Sequence, residues 1–222
     1  MIQSIGEPPD RHAERVADLF LRHLFARQGE LWANVEGSLH RKQMGSIVGQ
    51  RRAVARFRRA AGDLALSIDL TPGSRGRYLL MFTSCMLWDV AVDEAADLDR
   101  PIPSRCWLAV GVAFNNGGEP DDWDCRVPLL ITRHAIVRLA QRSGVRTIPD
   151  LLTAAKDLWR AALTLLAEVD ATGDIAILQR EGAIWRLPLA NGSIAVIGVA
   201  STAGRQLIVK TILSADMSEA SE

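Results

Sequence analysis

His134, Arg138 and Arg142 stand at successive intervals of four residues. On a helix, residues four apart share one stripe, so the three side chains project from a common face. Between them, Ile136, Leu139 and Ala140 fall on the opposite side, toward a core. Imidazole titrates near neutral pH and can move a proton. Guanidinium grips a phosphate in a fork and stabilises charge that builds on it. Unpaired backbone N–H groups at a helix start favour an anion and lower the proton affinity of a nearby histidine. This trio has the chemistry of a phosphodiester site. The same residues on an arginine-rich surface also make an ordinary solvated face.

The elements that must position the trio are legible around it. Val127–Ile131 reads as a short strand, Thr132 as the N-cap of a helix running to about Ser143, and Gly144 as its stop. Asp150 opens a longer helix through Leu166. Four short strands are expected next, at Ile175–Leu178, Ala183–Leu187, Ser193–Ala200 and Gln206–Leu213, with Asn191-Gly192 as a hairpin turn and Ala203-Gly204 as a second.

The segment Ile131-Thr132-Arg133-His134-Ala135-Ile136-Val137-Arg138-Leu139-Ala140-Gln141-Arg142 resembles a pattern of bacterial ribonuclease toxins of the barnase, EndoU, colicin and RelE-like group. The pattern is an apolar residue, Ser or Thr, His-Ala, and arginines four and eight residues after the histidine. The resemblance covers roughly the last 95 residues of the chain, ending in Ile208-Val209-Lys210-Thr211-Ile212-Leu213. It implies an α+β fold in which helices precede a small antiparallel sheet. It also implies metal-independent RNA cleavage or RNA binding, with His134 as general acid or base and Arg138 and Arg142 on the scissile phosphate. Lys210 or Thr211 would contact phosphate from the last strand. Two features depart from the pattern: such sheets often carry a tyrosine, and the single tyrosine here is Tyr78, outside the matching region, and the helix around Trp159 is longer than usual.

Upstream, Asp10 reads as an N-cap for an amphipathic helix carrying Val16, Leu19, Phe20, Leu24 and Phe25, with Gly29 as its stop. A second helix, Gln50 to Ala61, is rich in arginine. Arg51, Arg52, Arg56 and Arg59 on it are candidate nucleic-acid contacts, since such a strip neutralises backbone phosphates. Leu64–Leu70, Arg77–Trp88 and Ser104–Phe114 read as strands, with a turn at Thr71–Gly76. An acidic stretch from Asp89 to Asp99 reads as a solvated turn, and the polar loop Asn115–Asp122 as the boundary between an N-terminal and a C-terminal half.

Composition narrows the classes. Twenty-six Lys and Arg balance twenty-six Asp and Glu, and 48% of residues are hydrophobic, enough for a substantial core. Cys85, Cys106 and Cys125 form no CxxC pair, so no zinc site is expected and the thiols read as small buried hydrophobes. His12, His23 and His40 lack metal-ligand spacing. No nucleotide-binding glycine loop or nucleophile elbow is present, so no cofactor is expected. The first ten residues lack a signal peptide's apolar segment, and no stretch reaches the ~20 apolar residues of a membrane span. A cytoplasmic protein without a membrane partner is the expectation. The six tryptophans read mostly as core or interface anchors.

The expected architecture is therefore α+β: N-terminal helices and strands (residues 1–125), then two helices on a small antiparallel sheet (126–215), then a flexible tail (216–222). Candidate partners are RNA, an inhibitor protein, or a second copy of the chain. The alternative to cleavage is a non-enzymatic nucleic-acid-binding or protein-interaction module on a degenerate toxin-like fold.

Overall fold

The computed structural model of the chain describes residues 10–37, 47–62, 65–72, 78–88, 107–115, 123–172, 183–201 and 206–215. Helix α1 spans Arg11–Gly37 and α2 spans Ile47–Ala61. Strands β1 (Ala65–Pro72), β2 (Tyr78–Trp88), β3 (Trp107–Asn115) and β4 (Trp123–Ile131) follow. Helices α3 (Arg133–Arg142) and α4 (Ile148–Thr172) then precede β5 (Ile184–Pro188), β6 (Ile194–Ser201) and β7 (Gln206–Leu213). The chain is α+β, as the sequence implies.

The sheet is larger than expected and not wholly antiparallel. Seven strands pair in the order β1-β2-β3-β4-β7-β6-β5, and β4 pairs with β7 in parallel while every other pairing is antiparallel. The parallel pair has a simple cause. Two helices and a hairpin intervene between β4 and β7, long enough for a crossover, whereas all the antiparallel neighbours follow one another in sequence.

One row of side chains shows how the two meanders share a core. Leu108 faces Ile131, Ile131 faces Val209, and Val209 faces Ile197, and all four are buried. The row continues to Trp185 on β5, which packs against the same core. Trp159 on α4 is buried in it as well.

Helix α1 begins at Asp10, whose side chain accepts from the His12 N–H at 3.0 Å while its carbonyl accepts from the Glu14 N–H at 3.1 Å. Its face of Ala13, Val16, Ala17, Phe20, Leu21 and Leu24 is buried against α3, β2 and α4. Each large apolar side chain buried this way contributes about 1.5–3 kcal/mol. The helix runs through Gly29 to Gly37, because one interior glycine costs only about 1 kcal/mol and packing outweighs it. Likewise α2 starts at Ile47 rather than Gln50, and α4 reaches Thr172 rather than Leu166.

Three prolines sit in strands at positions that excuse their missing N–H, Pro188 at the end of the edge strand β5 among them. Pro72 ends β1, an edge strand, so β1 runs through the residues expected to begin a turn. Pro128 lies in the central strand β4, but Val110 pairs with Leu129 and Val112 with Arg126, so Val127 and Pro128 together oppose one residue of β3. That bulge removes the ladder position proline could not fill.

The expected strand at Ile175–Leu178, the acidic stretch Asp89–Asp99, the tail 216–222 and the polar residues 116–122 lie outside the described residues. Among the described residues, no helix is long and apolar enough to cross a membrane.

Candidate functional site

Helix α3 grows directly out of β4. The Thr132 N–H donates to the Val209 carbonyl at 3.3 Å, one step past the last paired residue of the parallel ladder. The chain then turns into the helix, with Thr132 as N-cap: its Oγ1 accepts from the Ala135 N–H at 3.1 Å. The same hydroxyl reaches back to β7, 3.3 Å from both the Val209 and Lys210 carbonyls. One side chain thus joins the helix start to the last strand. Arg133 adds a second tether, its Nε and Nη2 donating to Asp18 Oδ1 of α1 at 3.1 and 2.8 Å. At its far end α3 closes in a Schellman motif. The Gly144 N–H donates to Gln141 and the Val145 N–H to Ala140, with Gly144 at φ +59°.

Between these anchors Ala135, Ile136, Val137, Leu139 and Ala140 are buried. His134 is exposed and Arg138 and Arg142 are half-buried, which is the shared face implied by the spacing. His134 Nε2 lies 3.3 Å from Thr211 Oγ1 on β7. Partial burial, and then the Arg138 guanidinium, hold the His134 pKa below its ordinary 6.5. Neutral imidazole is therefore the form present near neutral pH. Arg138 is itself aimed by Gln141, whose Oε1 accepts from Nη1 at 2.8 Å. Gln141 carries an i, i+3 spacing to Arg138 that would have marked it as a partner.

Lys210 goes elsewhere. Val209 pairs with Ile197 and Thr211 with Val196, so Lys210 is an extra residue in β7, a β-bulge. Its side chain crosses Gly198 on β6, where an added Cβ would stand 2.8 Å from Lys210 Cε and 3.3 Å from Nζ. β6 lies on the opposite side of β7 from β4. The structure thus brings Thr211 to His134 and lays the Lys210 side chain over Gly198 of β6.

The arginines of α2 form a separate surface. Arg51, Arg52, Arg56 and Arg59 are all exposed, and α2 packs on β1 and α1. β1 is four strands from β7 in the sheet order, about 19 Å at the usual interstrand spacing.

A cleft of about 420 Å³ opens at the far end of α3, lined by Leu139, Val145 and Leu189 with Arg146, Asp150 and Asp157 at its polar rim. None of His134, Arg138, Arg142 or Thr211 lines it. Beside the cleft-lining Arg146, Thr147 is the N-cap of α4 and Asp150 its reciprocal partner, where the sequence alone suggests Asp150. Asp150 Oδ2 accepts from the Thr147 N–H at 3.0 Å, and the Asp150 N–H donates to Thr147 Oγ1 at 3.4 Å. The Thr147 hydroxyl first, then the Arg146 and Thr147 N–H groups, hold the Asp150 pKa below its ordinary value. The turn across the cleft is the Asn191-Gly192 hairpin, with Gly192 at φ +82°, and Asn191 Nδ2 donates to Ser143 Oγ at 2.8 Å.

Among the described residues, no group of three or more His, Cys, Asp or Glu side chains is placed to hold a metal ion. No family model, curated protein or solved structure matches the chain.

Proposed function

We propose that the protein cleaves RNA through the open face of α3, with His134 as the proton-transfer group. The observation that carries this reading is the His134–Thr211 pair at 3.3 Å, with Arg138 near enough to depress the imidazole's pKa. A neutral histidine is ready to accept a proton, so its role is general base. It takes the proton of the ribose 2′-OH, whose oxygen attacks the adjacent phosphorus. The P–O5′ bond breaks to leave a 2′,3′-cyclic phosphate, and the departing 5′-oxygen takes a proton from water. Arg138 neutralises the charge that builds on the phosphoryl oxygens. Arg142, two turns or about 12 Å along the helix from His134, is spaced to hold a neighbouring phosphate.

The test is degradation of a mixed RNA pool by the purified protein with EDTA present, wild type against His134→Ala. A positioned base is typically worth about 10²–10⁴ in rate. Cleavage by wild type and a loss of that size in the variant support the reading. No cleavage by wild type, or equal cleavage by both, overturns it.

A binding module is the second reading, and two observations favour it. The Lys210 side chain lies over Gly198 of β6, and the exposed arginines of α2 offer a phosphate-binding surface of their own. Under this reading the protein holds RNA without cutting it, or meets a protein partner through the same faces.

A further inference from the structure

We infer that Thr211 is a positioning residue for His134, holding the imidazole by Nε2 so that Nδ1 is the nitrogen that exchanges a proton with the substrate. This deepens the cleavage reading and rests on it for the chemistry, but not for the geometry.

Imidazole has two ring nitrogens, and in its neutral form one is a donor and the other an acceptor. Thr211 Oγ1 stands 3.3 Å from Nε2. A general base needs a bare lone pair facing the substrate, and the nitrogen already met by the hydroxyl cannot supply it. With Nε2–H donating to Thr211 Oγ1, the lone pair is on Nδ1. When Nδ1 takes the 2′-OH proton, the ring becomes an imidazolium and the Nε2–H···Oγ1 bond strengthens. A partner on one nitrogen that fixes the tautomer for the other is the general logic of an orienting group. Thr211 thereby acts on the histidine, whereas the resemblance assigned it to the phosphate.

The backbone supports this assignment on two sides. Buried residues in β7 run Leu207, Val209 and then Ile212, so the period of two breaks once, at Lys210. Without that extra residue Thr211 would sit one position lower on the strand, about 3.3 Å back from where the ring now meets it. On the other side, the Thr132 hydroxyl ties the start of α3 to the carbonyls just before Thr211. One half of the pair is therefore set by the bulge in β7 and the other by the Thr132 cap.

The experiment uses the full chain and two variants, Thr211→Val, which keeps the shape and removes the hydroxyl, and Thr211→Ser, which keeps the hydroxyl. The ¹⁵N spectrum of the His134 ring, read without RNA, should show the Nε2–H tautomer in wild type and Thr211→Ser, and a mixture of tautomers in Thr211→Val. Cleavage of a short unstructured RNA should lose about two- to tenfold in kcat in Thr211→Val, the worth of one hydrogen bond, with KM unchanged and Thr211→Ser near wild type. An Nδ1–H tautomer in wild type overturns the inference. So does a Thr211→Val variant whose ring spectrum is unchanged and whose KM rises, since that is the signature of a phosphate contact. If wild type cleaves nothing, the cleavage reading fails while the ring spectrum still decides the Thr211 assignment.

Discussion

Thr132 and Val209 are 77 residues apart in sequence and are joined twice, by the Thr132 N–H and by its hydroxyl, each 3.3 Å from the Val209 carbonyl. The backbone bond extends the parallel ladder by one step, and the side-chain bond is made by the residue that caps α3. The end of a strand and the beginning of a helix are therefore fixed to one carbonyl of the last strand. Open sheets with parallel strands present ligands at the carboxyl ends of those strands. The His134–Thr211 pair lies at that end of β4 and β7.

Thr132→Val should remove the cap and the strand bond together and lower stability by about 0.5–2 kcal/mol, the range for losing an N-cap. Thr132→Ser should keep most of it. Urea unfolding is the measurement, with the midpoint falling and the slope unchanged. A Thr132→Val protein as stable as wild type would mean that the hydroxyl bonds contribute nothing net.

Much of this local geometry is written in short-range signals. The spacing of His134, Arg138 and Arg142 gave a shared face because helical period is a local property, and Asn191-Gly192 gave the β5–β6 turn because Gly192 at φ +82° needs a residue without a Cβ penalty. The pairing of β4 with β7 was not legible. Leu129–Ile131 and Leu207–Val209 are apolar runs that fit a parallel or an antiparallel neighbour equally, and strand order depends on contacts across some 75 residues. The bulge was hidden for a related reason. Lys210 and Thr211 differ from their neighbours in type but not in β-propensity enough to mark a break in alternation, so the sequence offers either for a phosphate without showing that the bulge sets Thr211 beside His134.

Cys85 offers a probe of the core beneath β2. Burial pushes its thiol up to about 12, with the Lys156 ammonium offsetting part of the rise. At pH 8 the thiolate fraction would be about 10⁻⁴, and the buried sulfur is closed to reagent as well. Iodoacetamide should leave the Cys85 peptide unmodified in the native protein and label it along the urea transition, read by peptide mass spectrometry. Labelling in the absence of urea at the rate of a free thiol would contradict the burial.

The α2 surface makes a prediction independent of catalysis. If Arg51, Arg52, Arg56 and Arg59 meet backbone phosphates, changing all four to alanine should weaken binding of a single-stranded RNA and flatten the dependence of log K on log salt by about 0.7 per lost contact. Fold should be retained, since all four side chains are exposed while Val54 holds the helix to the core. Filter binding across a salt series checks it, and an unchanged slope would assign these arginines to another partner.

The last prediction concerns the titration of His134. Its folded pKa lies below 6.5, first because the ring is partly buried and second because Arg138 is near. The folded protein therefore binds fewer protons at this site than the unfolded chain does in the window between the lowered value and 6.5. The contribution to stability is complete above 6.5 and is lost as pH falls through the folded pKa. Arg138→Gln removes the second cause and leaves the first. The His134 pKa should rise in that variant without fully recovering 6.5, and the acid-side loss of stability should shift correspondingly upward. If the proton transfer is that of a general base, the acid limb of kcat/KM should move upward with it, because the free enzyme's base must be unprotonated to act. An NMR titration of the His134 ring in both proteins, set beside their pH–rate profiles, measures all of this. A pKa that stays put when Arg138 loses its charge would mean burial alone sets it. A ring pKa that moves while the acid limb does not would mean that His134 is not the base.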